Sequence, residues 1–229
     1  MKLVKIITQI ILILFCLISI TAYGHGVDDE TQSFLSINKG IAFGSFLYIG
    51  AKHMITGYDH LLFLVGVIFF LNRAKEIITY VSFFTIGHSA TLLFGVMVDI
   101  NLNAYIIDAI IGLSIVYKGF DNLMGFKKIF GKQPNTKGAV LIFGLFHGFG
   151  LATKLQEFEF DKEGLFTNLL GFNLGVEIGQ FLALGFVLLI ISFWRQYNSY
   201  LKFSKLTNLL LMAAGFLLFG YQLTGYFTS

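Results

Sequence analysis

Four of the five histidines in this chain, together with Asp59, Asp108 and Glu177, lie in stretches apolar enough to sit in a lipid bilayer. An ionisable side chain in hydrocarbon is costly unless it is paired, hydrated or bound to a metal, so such groups mark function. They occur as His53-Met54-Ile55-Thr56-Gly57-Tyr58-Asp59-His60, Gly87-His88-Ser89, Phe146-His147-Gly148 and Asn173-Leu174-Gly175-Val176-Glu177-Ile178-Gly179-Gln180. Imidazoles with a few carboxylates are the ligand set of borderline divalent metals such as nickel, cobalt and zinc.

The spacing sharpens that reading. His53 and His60 are seven apart, which on an unbroken helix puts them on one face but two turns distant. A break at Gly57 instead lets His53, Asp59 and His60 converge, with Asp59 either binding metal or orienting an imidazole. Asp59 also reads as a cap for a helix beginning at His60. Asn173, Glu177 and Gln180 fall at i, i+4 and i+7, a polar stripe on an apolar helix that offers metal binding, proton coupling or an ion pair with Lys118. Gly144, Gly148 and Gly150 around His147 permit close approach of a backbone or an ion, whereas Thr85, Ser89 and Thr91 beside His88 suit backbone hydrogen bonding. Asp108 reads as a further ligand or as an interfacial residue.

The elements that must position these groups follow from composition. The chain is 56% hydrophobic and 13% charged, with a mean hydropathy of +0.77, against about 25% charged in soluble domains. Several apolar runs approach the roughly 20 residues of a spanning helix. The expected class is all-α, a polytopic helical membrane protein in contact with the lipid bilayer. Residues 1–24 read as a cleaved signal peptide in preference to a retained first helix, with Lys2 and Lys5 before an apolar run and Ala22-Tyr23-Gly24 at its end. Cys16 lies inside that segment, so the mature chain carries no thiolate chemistry. Cleavage after Gly24 would expose His25 as an amino-terminal chelator; cleavage after Ala22 would not. Removing Lys2 and Lys5 from the 16 basic side chains leaves 14 against 13 acidic, a balance that gives no reason to expect a nucleic-acid partner.

Residues 25–39 then form a short extracytoplasmic segment, and 40–229 a single transmembrane domain with apolar stretches near 40–72, 76–98, 102–124, 138–155, 164–194 and 206–227. Connections rich in Lys and Arg alternate with acidic-leaning ones. With basic loops inside, this predicts six crossings of the plasma (inner) membrane with both termini outside. The first stretch would extend about 50 Å as one helix, too long for a hydrocarbon core of about 30 Å. A broken helix near Gly57-Tyr58-Asp59, rather than one tilted helix with an interfacial end, accommodates it and gives seven helical segments. The one proline, Pro134, lies in a basic loop, so glycine must make the break. A shift of 59 positions lays His88 on His147 and Lys118 on Glu177, which suggests a parallel repeat. The 27 phenylalanines read as packing and lipid-facing surface.

The motifs at 53–60, Phe84-Thr85-Ile86-Gly87-His88-Ser89-Ala90-Thr91-Leu92, Phe146-His147-Gly148-Phe149-Gly150-Leu151-Ala152 and Phe172-Asn173-Leu174-Gly175-Val176-Glu177-Ile178-Gly179-Gln180 resemble the HupE/UreJ family, in its second branch. That resemblance implies a nickel or cobalt permease, with His53, Asp59 and His60 as first ligands and His88, His147 and Glu177 behind them. Met54 stands where the family motif has proline, and Asp108 where glutamate is expected. No Gly-x-x-x-x-Gly-Lys-Ser/Thr loop occurs, so a transporter here would be secondary. The same ligands could instead hold a fixed zinc that hydrolyses a lipid amide or ester, or paired histidines could ligate a b-type haem.

Overall fold

The computed structural model describes residues 40–156 and 164–229, and within them every regular element is a helix. The signal segment, His25, the 25–39 segment and the acidic loop 157–163 lie outside the described residues. Eight helices follow in order: α1 Phe43–Thr56, α2 Tyr58–Ile68, α3 Ala74–Val98, α4 Ala104–Asn122, α5 Gly125–Phe130, α6 Thr136–Gln156, α7 Leu165–Trp194 and α8 Ser199–Thr228. Helices α3, α6, α7 and α8 are each long and apolar enough to cross a membrane. The chain is a multi-pass membrane protein. The helix beyond the seven expected is α5, a single turn and a half in the lysine-rich connection.

The expected break is present. Gly57 takes an extended conformation (φ −72°, ψ 91°) between α1 and α2. Its N–H closes α1 on His53 O at 2.8 Å, and its carbonyl opens α2 by accepting from Leu61 N at 3.1 Å. Because α2 begins at Tyr58, Asp59 is a first-turn residue rather than the cap. The far end of α2 is tied down by another part of the chain: Arg195 Nη2 donates to Ile68 O and Phe69 O, and Tyr200 Oη donates to Phe69 O. Tyr200 also explains why α8 starts earlier than its apolar run, since it anchors that first turn in the core.

Three helix pairs pack closely through glycine. On α7, Gly171, Gly175 and Gly179 lie against the carbonyls of Phe43, Leu47 and Ala51 of α1. Gly144 and Gly148 of α6 meet Phe84 and His88 of α3, and Gly112 of α4 meets Gly215 of α8. Without a hydrophobic drive between helices in lipid, association depends on such close backbone approach. The order of these contacts makes α1 parallel to α7, α3 parallel to α6, and α4 antiparallel to α8. A parallel α3 and α6 is what the 59-residue repeat requires.

Candidate metal centre

The break at Gly57 turns α1 and α2 so that four histidines from α1, α2, α3 and α6 meet in the core. His60 is at the middle: its ring centroid lies 5.1 Å from His53, 5.8 Å from His88 and 4.8 Å from His147. His60, His88 and His147 are buried. The His60 imidazole Nδ1 lies 2.7 Å from Asp59 Oδ1, the same oxygen that accepts the His60 backbone N–H at 2.8 Å. Asp59 therefore satisfies a backbone donor freed by the break and orients the ring at once. His147 Nδ1 lies 2.8 Å from Phe143 O. A carbonyl can only accept, so this nitrogen carries the proton and the neutral ring keeps its lone pair on Nε2.

Such Nδ1–H contacts to a carboxylate or a backbone carbonyl are the usual outer support of metal-binding histidines. Among the described residues, His60 Nε2 and both ring nitrogens of His88 are buried with no hydrogen-bond partner. A buried polar group left unpartnered costs about 1–3 kcal/mol, so three in one cluster is a feature with a cause. The rings touch edge to face, and no three described His, Cys, Asp or Glu side chains stand in a finished metal-binding geometry. An ion at about 2.0–2.1 Å from each nitrogen needs these rings to rotate apart.

The other expected residues are placed elsewhere. Asp108 sits 2.7 Å from Lys154 Nζ of α6 in a buried ion pair. It joins Tyr58, Asp59, Ile111, Leu218 and Gln222 in lining a cleft beside Asp59. Glu177 is half-buried on α7 and makes no ion pair with Lys118. Lys118 bonds Asp121 one turn along its own helix instead, where proximity is already guaranteed by i, i+3 spacing. Asn173 is buried, with Oδ1 lacking a partner among the described residues.

The aromatic wall was the part hidden from sequence reading. Phe84 stacks on His88 at 6.0 Å and lies 5.0 Å from His147; Phe63 lies 5.5 Å from His147, and Phe172 lies 6.2 Å from His53. A signal was available: Phe84 and Phe143 each precede a histidine by four residues and match under the 59-residue shift.

No curated protein and no solved structure shows significant similarity to the chain. The family model described as HupE / UreJ protein matches residues 29–229, nearly the whole sequence, including the three histidine-bearing motifs and Phe172–Gln180. With its glycine-packed apolar helices and its buried imidazole cluster, this chain belongs to the HupE/UreJ family.

Proposed function

We propose that the chain is a secondary permease for a divalent transition-metal ion, nickel or cobalt, in the plasma membrane, with six crossings and both termini outside. The observation that carries this reading is the cluster of His53, His60, His88 and His147 around a ring that Asp59 orients. Imidazole nitrogen suits these borderline metals better than it suits magnesium or calcium. The ion enters through the cleft between Asp59 and Asp108, sheds water as His53 and His60 rotate, and is taken up by His88 and His147. Imidazole binds metal only when deprotonated, so protonation on the far side favours release. The hydrophobic wall of Phe63, Phe84 and Phe172 keeps the cluster dry, which strengthens every electrostatic contact within it.

The test is nickel and cobalt uptake into proteoliposomes by the native protein, Asp59→Asn and His60→Ala. Saturable flux that both substitutions abolish supports the reading. A stoichiometric metal that survives chelation, without any flux, would reject it in favour of a fixed zinc centre for hydrolysis.

A further inference from the structure

The polar stripe of α7 has a counterpart on α3. Thr85 Oγ1 lies 3.1 Å from Gln180 Oε1 and 3.0 Å from Val81 O. One hydroxyl hydrogen serves only one of these, and the Val81 carbonyl can only accept. Oxygen and nitrogen of an amide exchange places by a half-turn. The arrangement that satisfies every group has Thr85 donating to Val81 O and the Gln180 amide N–H donating to Thr85 Oγ1. It gives a partner to a Gln180 Nε2 otherwise buried without one among the described residues. It also turns the amide oxygen of Gln180, a residue 1% exposed, into an open acceptor.

A second open acceptor stands on the same face. Asn173 is 8% exposed, and its Oδ1 has no partner among the described residues. Between the two lies Glu177, which makes no hydrogen bond or ion pair among those residues. Arg195, at the end of α7, bonds the carbonyls of Ile68 and Phe69 just before α3 begins, so α3 and α7 run antiparallel. Ser89 lies one turn beyond Thr85 on α3, and among the described residues its buried Oγ lacks a partner too. Along the two helices these five residues offer two amide oxygens, two hydroxyls and one carboxylate, and no nitrogen ligand.

Oxygen-only donors select hard cations, whereas the neighbouring imidazoles select borderline ones. A single carboxylate among neutral oxygens balances one positive charge, and calcium sites usually draw on several carboxylates. We propose that the α3–α7 seam of Thr85, Ser89, Asn173, Glu177 and Gln180 is a sodium site, and that sodium is the coupling ion. The coupling role rests on the permease reading; the binding site does not. Ser89 follows His88 in sequence and Asn173 follows Phe172, so each helix carries seam and cluster residues side by side. Ordering of the seam is thereby transmitted to the imidazoles.

The experiment is radioactive sodium binding to purified protein in choline buffer, with lithium and potassium as competitors, beside nickel uptake in liposomes with sodium or choline outside. The native protein and His60→Ala should bind sodium saturably. Glu177→Gln should lose about tenfold or more in sodium affinity, as removal of the one charged oxygen ligand requires, and Asn173→Ala should also bind more weakly. Thermal unfolding of each variant confirms that the fold survives. No saturable sodium binding by the native protein, or native binding by both Glu177→Gln and Asn173→Ala, overturns the site. Sodium binding with nickel flux indifferent to sodium overturns the coupling role. Sodium binding without any nickel flux upholds the site and sinks the permease reading alone.

Discussion

Asp59 Oδ1 serves His60 twice, accepting its backbone N–H at 2.8 Å and meeting its Nδ1 at 2.7 Å. The first contact is local helix chemistry; the second fixes which ring nitrogen keeps a lone pair. Asparagine preserves both geometries, because an amide oxygen also accepts, but removes the negative charge that faces the imidazole. Asp59→Asn should therefore leave thermal unfolding nearly unchanged and weaken nickel binding about 10- to 100-fold. Calorimetric titration of the purified variant with nickel checks this, and native affinity would show that Asp59 acts only on the backbone.

Close backbone approach between α3 and α6 sets the spacing of His88 and His147. A Cβ on Gly148 would collide with His88 O and Thr91 Oγ1, while Gly185 of α7 and Gly220 of α8 face open space. Gly148→Ala should destabilise the protein by at least about 1–3 kcal/mol, the usual cost of overpacking. Gly185→Ala should be neutral or slightly stabilising. Thermal unfolding in detergent, run on both variants together, separates packing from any general effect of removing glycine.

Much of this architecture was legible in the sequence, and the reasons are specific. The break at Gly57 could be read because 33 apolar residues exceed one bilayer and proline is absent there. Convergence of His53, Asp59 and His60 followed from the break. The pairing of α3 with α6 showed only as the weak 59-residue repeat, since glycine-rich apolar helices match by chance. The partners of Asp108 and Lys118 were not legible. Lys154 meets Asp108 across two helices, and sequence spacing carries no information about such a contact. Phe63, Phe84 and Phe172 were hidden among 27 phenylalanines, because the side chain that walls a site is chemically the same as one facing lipid.

The Asp108–Lys154 pair is buried at both ends, which makes its two single deletions unequal to its joint removal. Removing one partner strands a charge and costs about 3–5 kcal/mol, whereas replacing both with apolar groups is often neutral. Asp108→Asn and Lys154→Met should each lower the unfolding temperature, and Asp108→Asn/Lys154→Met should recover most of the loss. A double-mutant cycle from denaturation midpoints measures the coupling. If the pair serves the fold alone, the recovered double variant will also recover nickel uptake; if the Asp108 carboxylate guides ions through the cleft, stability returns and uptake does not.

Gly57 offers the most selective probe of the site, because its backbone angles are open to any residue and only space is at stake. A Cβ there would stand 3.0 Å from His53 O, 3.0 Å from His60 Nδ1 and 3.3 Å from Asp59 Oδ1. The His53 carbonyl is held by the bond that closes α1, so it yields least. The imidazole of His60 must give way, lengthening its contact with Asp59. Gly57→Ala should thus keep the helix break, cost about 1 kcal/mol or less in stability, and weaken nickel binding about tenfold. Because that loss acts through the Asp59–His60 contact, it should largely vanish when Asp59→Asn is already present. Additive losses in the double variant would mean that Gly57 shapes the cluster through His53 instead.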